Sequence, residues 1–138
     1  MVRFKRILSH PITLAVLFCF LIVSGQSTGF FYLTLLMLGL SRALMHSVLG
    51  IAGLLFVLIA SGNKGNIFRA FTGLTGAVFM LLSLIRFFTQ PGAAYNYPTF
   101  HQFVPLIILI AFLLSFMFFV ARHLQFLMQK KNRFTSPV

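Results

Sequence analysis

The sequence predicts an all-α integral membrane bundle of four transmembrane helices, with one further short apolar segment that is re-entrant or interfacial. Three observations predict it. Hydrophobic residues fill 59% of the 138 positions, and Phe alone occupies 19, whereas a soluble domain is closer to half apolar. Eleven Lys and Arg stand against no Asp or Glu, for a formal net charge of +11. Those cations gather at the edges of long apolar runs, as membrane proteins place them, and are not spread over a surface that could meet nucleic acid. Nucleic acid is therefore not an expected partner.

The missing carboxylates exclude whole classes of chemistry. The acid pairs of glycosidases, the oxygen cages of Ca²⁺ and Mg²⁺ and the Asp/Glu proton relays of many pumps all need them. Their absence also leaves each cation without a side-chain counter-ion in its own chain. The partners implied are anionic lipid headgroups of the bilayer, bound anions, the C-terminal carboxylate, or another protein or a second copy of the chain.

The whole chain, 1–138, reads as a single membrane domain. The first apolar run is 7–25, preceded by Arg3, Lys5 and Arg6. It is about long enough to cross a hydrocarbon core of roughly 30 Å. Its basic start and small residues Ser24 and Gly25 also fit a signal peptide, and a retained helix is the expectation adopted. Pro11 sits in the first turn, where a missing N–H costs little. Gly25 to Gly29 breaks the run. The apolar segment 30–40 is too short to span. The second span is 43–61, followed by the polar turn Gly62-Asn63-Lys64-Gly65-Asn66. The third is 67–88. A loop with Pro91-Gly92, Tyr95, Tyr97 and Pro98 leads to the fourth, 103–128, and a basic tail covers 129–138.

Charge distribution sets the expected orientation. With four spans and both termini cytoplasmic, the inner side holds Arg3, Lys5, Arg6, Lys64, Arg69, Arg122, Lys130, Lys131 and Arg133. Only Arg42 and Arg86 lie outside. Nine against two is a strong positive-inside bias. The expected location is a cell membrane, crossed several times.

Helices in lipid associate where small residues let backbones approach. The second span offers Ala43, Ser47, Gly50 and Gly53. The third offers Thr72, Gly73, Gly76 and Ala77, and the fourth Ala111 and Ser115. Spans two and three are the expected best-packed pair. Phe116, Phe118 and Phe119 cannot all face one partner, so a lipid-facing coat is expected for them.

One constellation could carry chemistry. Arg42 and His46 are one helical turn apart, Arg86 ends the third span, and His101 opens the fourth, all on the outer side. Tyr95 and Tyr97 adjoin them. Such arginines ordinarily snorkel to phosphates. The sharper reading is a site for an anion or an anionic lipid, because a planar guanidinium can bond two oxygens at once. His46 and His101 could also ligate one haem iron axially. No metal site, no other cofactor and no catalytic array is expected. Cys19 is alone, no serine stands in a Gly-x-Ser-x-Gly context, and there is no phosphate-binding Gly-rich loop.

The stretch Leu44-Met-His-Ser-Val-Leu-Gly-Ile-Ala-Gly-Leu resembles a segment of small bacterial four-helix integral membrane proteins of unknown function. In those, a histidine precedes an apolar helix with spaced glycines and a second histidine opens the last helix. His46, Gly50, Gly53 and His101 carry the resemblance, which implies the span count and a bacterial inner membrane but no activity. The chain departs from it in lacking acids and in carrying the segment 30–40. The leading functional expectation is a non-enzymatic small subunit or scaffold of a membrane complex. The alternative is a binder or carrier of an anionic lipid or small anion at Arg42, His46, Arg86 and His101. A haem-binding subunit is the third.

Overall fold

A computed structural model describes residues 2–24, 29–62 and 67–135, with side chains described for 5–24, 29–62 and 67–130. The expected breaks around Gly25 to Thr28 and Asn63 to Asn66, and the last three residues of the tail, lie outside the described residues. In order, the elements are α1 (Val2–Leu8), α2 (Pro11–Cys19), β1 (Ile22–Ser24), β2 (Gly29–Phe31), α3 (Tyr32–Leu40), α4 (Met45–Ala60), α5 (Ile67–Thr89), a 3₁₀ helix (Ala93–Phe100) and α6 (Phe103–Thr135). The fold is helical, as expected. Among the described residues, two helices, α5 and α6, are long and apolar enough to cross a membrane, and α3 with α4 adds a third if the bent pair is taken as one span.

The N-terminal run corrects the expectation of one continuous helix over 7–25. The helix stops at Leu8 and restarts at Pro11. Proline has no N–H and crowds the preceding turn. His10 takes an extended backbone and accepts a hydrogen bond from the Ile12 N–H at 3.3 Å, capping the new helix. After Cys19 the chain leaves helical geometry altogether. β1 and β2 form an antiparallel ribbon with Ile22 opposite Phe31, Val23 opposite Phe30 and Ser24 opposite Gly29. Val23 and Ser24 are buried, while β2 is exposed.

This N-terminal segment runs along α6. Ser115 donates to the Leu8 carbonyl at 2.7 Å, and the Arg122 guanidinium donates to Ser9 Oγ at 3.0 Å. At the other end the Ser24 N–H donates to Thr99 Oγ1 at 2.9 Å, and Thr99 Oγ1 donates back to the Ser24 carbonyl at 3.3 Å. Ser24 Oγ also bonds the Gln102 amide oxygen.

The segment expected to be re-entrant or interfacial folds as β2 followed by α3. Between α3 and α4 the chain bends by 116°. A bend beyond a right angle means that α3 does not prolong α4 along the same axis. Alone, the 16 residues of α4 rise about 24 Å. The corner is a Schellman closure. The Leu44 N–H bonds the Gly39 carbonyl and the Ala43 N–H bonds the Leu40 carbonyl, each at 3.0 Å. Ala43 holds the left-handed position with φ 51°, where glycine is the usual occupant.

The most extensive interface joins α4 to α5. Its α4 face is His46, Gly50, Gly53 and Val57, all buried. Its α5 face includes Gly76, Met80, Ser83 and Phe87, all buried. A Cβ added to Gly53 would lie 2.7 Å from the Gly76 carbonyl oxygen, so the two backbones touch. Gly73 faces Ala60 and Phe119 instead. Thr72 is only partly buried and its hydroxyl bonds its own helix at the Phe68 carbonyl, and Ala43 belongs to the corner rather than to the seam. On α6, Phe112, Ser115 and Phe119 are buried at helical spacing. Phe119 is therefore a core residue, not part of a lipid-facing coat. Phe18, Tyr32 and Phe112 complete the aromatic centre, with Phe18 and Tyr32 edge-to-face at 5.4 Å.

Candidate functional site

The α3–α4 corner and the end of α5 border a half-open cavity of about 300 Å³. Leu35, Leu38 and Gly39 of α3, Ser41, Arg42 and Leu44 of the corner, His46 of α4, and Phe87 and Gln90 at the end of α5 line it. Each element reaches the cavity for a local reason. The Schellman closure turns the chain back so that Arg42 follows α3 and precedes α4. His46 lies on the buried stripe of α4 that Gly50 and Gly53 continue. Phe87 continues the α5 stripe of Met80 and Ser83, and Gln90 follows one turn later.

His46 is only 4% exposed. Its ring meets Phe87 edge-on at 5.2 Å, and the Gln90 side chain is the polar group beside it. A polar relay beneath fixes its backbone. Ser83 Oγ donates to the His46 carbonyl at 2.6 Å, so the Tyr32 hydroxyl, 2.8 Å away, donates to Ser83. Tyr32 and Ser83 are fully buried. This chain of bonds links α3, α5 and α4. Ser47 Oγ, pressed against Gly39, is the one fully buried side-chain polar atom without a partner among the described residues.

Arg42 is exposed at the rim, and no acidic side chain exists in the chain to meet it. No side chain caps α4 at Leu44, and the Leu44 and Ser47 N–H groups bond the Gly39 and Leu44 carbonyls. The cavity therefore offers donors and positive charge over an apolar wall of Leu35, Leu38, Leu44 and Phe87. It can hold an anion attached to something apolar.

The four expected residues separate into two groups. Arg42 and His46 share the cavity. Their proximity does not come from one helix face, as the sequence suggested, because Arg42 lies in the turn before α4. Arg86 is exposed on α5 and is not in the lining. Its neighbour Phe87 takes the inward position, since successive helix residues are about 100° apart. His101 is exposed, closing the 3₁₀ helix, and is also outside the lining. It does not correspond to buried His46, and the arrangement gives no support to a haem held between them. Tyr95 and Tyr97 are exposed on the 3₁₀ helix and do not cover the cavity. His123 is half-buried with its ring 4.0 Å from that of Phe119.

Sequence reasoning missed Gln90, Ser41 and Phe87. A signal for two of them was present. Gly76, Met80 and Ser83 define a small-residue and core stripe on α5, and its continuation falls on Phe87 and Gln90 rather than on Arg86.

The chain matches no family model, no curated protein and no solved structure. The resemblance carried by His46, Gly50, Gly53 and His101 thus brings nothing to the assignment of function.

Proposed function

We propose that this is a non-enzymatic integral membrane protein that binds an anion in the cavity at the α3–α4 corner. Arg42 supplies the charge at the rim, and His46 and Gln90 supply polar contacts inside. The observation that supports this most is the meeting of an exposed guanidinium and a buried imidazole in one cavity, in a chain without an acidic side chain to meet the guanidinium. Arg86 and His101 are not needed for it. Melting of the purified full chain at fixed ionic strength tests the reading, since a ligand that binds only the folded state stabilises it. At least one of inorganic phosphate and phosphatidylglycerol should raise the Tm of the wild type and of Arg86→Gln, but not of Arg42→Gln. No gain from either probe contradicts the reading.

The topology proposed with it has four crossings and both termini cytoplasmic. The first crossing is the broken segment α1–α2–β1. Leu8 meets α6 at Ser115, and Ser24 meets Gln102 just before the start of α6, positions about 20 Å apart along that axis. α1, with Lys5 and Arg6, carries the chain from there into the cytoplasmic headgroup region. Non-helical backbone survives at membrane depth only when protein satisfies it, and Thr99 bonds both the N–H and the carbonyl of Ser24.

A second reading, a small subunit or scaffold of a membrane complex, is favoured by α6. Only 22% of its apolar window is buried, which leaves a long face for lipid or for another protein.

A further inference from the structure

The rim of the cavity is as informative as its interior. Leu38 is 62% exposed and Leu44 is 40% exposed, and both line the opening. Met37, Leu40 and Met45, close by in sequence, are exposed as well. A site that drew its anion from water would be expected to have a polar approach. Here exposed Leu38 and Leu44 stand beside exposed Ser41 and Arg42, so the rim is amphipathic, as a charged headgroup joined to apolar chains requires. We infer that the site takes its ligand from the bilayer: a lipid with an anionic phosphate headgroup, reaching Arg42 and His46 from the side across Leu38 and Leu44. This rests on the anion reading above and adds the source and class of the ligand.

Size and charge are consistent with one another. A cavity of about 300 Å³ at the low end of ligand-site volumes suits a headgroup and the start of its chains, with the remainder lying along the exposed leucines. The guanidinium fork matches two phosphate oxygens. Among the described residues, no protein group takes a hydrogen bond from the Arg42 side chain.

The test uses the full chain in an uncharged detergent, melted with phosphatidylglycerol, phosphatidylcholine or inorganic phosphate at matched ionic strength. Phosphatidylglycerol should raise the Tm by about 3 °C or more, in line with saturating a single site on a domain of this size. Phosphatidylcholine and inorganic phosphate should leave it unchanged. Leu38→Gln, a change at an exposed position, should remove at least half of the phosphatidylglycerol gain without lowering the lipid-free Tm. Lys130→Gln with Lys131→Gln, far from the cavity, should keep the gain. If inorganic phosphate gives the same gain as the lipid, the anion reading stands and the lipid inference is overturned. If phosphatidylcholine gives it, headgroup charge is not what the site recognises. If neither anion gives a gain, or the Lys130 and Lys131 changes abolish it, both the inference and the reading beneath it fall.

Discussion

Gly53 and Gly76 lie backbone against backbone: a methyl group on Gly76 would come within 2.8 Å of the Gly53 carbonyl oxygen and of the Val57 nitrogen. Where lipid surrounds the helices, this closeness replaces water exclusion as the source of attraction. The cavity at the corner keeps its shape because this contact fixes the register of α4 on α5.

Adding bulk at the seam should therefore separate the helices. Gly76→Leu should destabilise by about 3 kcal/mol or more, beyond the usual overpacking range, because backbone cannot move aside as a side chain does. Val78→Leu, on an exposed position, should stay within about 0.5 kcal/mol of the wild type. Thermal melts of the two variants in one detergent check this, and equal losses would contradict the seam.

The relay from Tyr32 through Ser83 to the His46 carbonyl should behave as a unit. Ser83→Ala leaves a buried hydroxyl and a buried carbonyl without their partner and should cost about 1–3 kcal/mol. Tyr32→Phe removes only the outer donor and should cost less. In the double variant the losses should fall short of additive, since one partner of the Tyr32–Ser83 bond is already gone in each single variant. A double-mutant cycle measures that shortfall.

Ala43 carries the opposite sign. It occupies the left-handed position of the Schellman closure with φ 51°, where a Cβ costs energy that glycine does not. Ala43→Gly should stabilise the protein by about 1 kcal/mol. A lower Tm for this variant would show that the corner is not closed in this way.

Reporter fusions test the orientation. Those after Lys64 and after Met128 should read cytoplasmic, and one after Ala94 should read external, as the nine-to-two charge split requires. An external reading after Met128 would exclude four crossings with both termini inside.

What the sequence made legible is what depends on local composition. The 67–88 and 103–128 runs are α5 and the apolar part of α6 because hydropathy decides such helices directly. Gly50, Gly53 and Gly76 were readable as a seam because their spacing repeats a helix turn. The first run was not legible as a broken element. Its hydropathy is uniform, and the extended stretch at Ser24 is held by Thr99, 75 residues away, which no local pattern reveals. The corner was hidden too, since alanine gives no sign that it will adopt a left-handed backbone. Arg86 lies outside the cavity for a related reason: the helix register places Phe87 and Gln90, not the neighbouring cation, in the lining.

Native mass spectrometry of the protein released from its own membrane, counting the anionic lipids retained per chain, tests the central claim most directly. Arg42 at the cavity rim, and not the outer cations in general, should hold the ligand. The wild type and Arg86→Gln should each keep one anionic phospholipid, and Arg42→Gln should lose it. Retention by Arg42→Gln with loss in Arg86→Gln would contradict the account and return the arginines to snorkelling side chains.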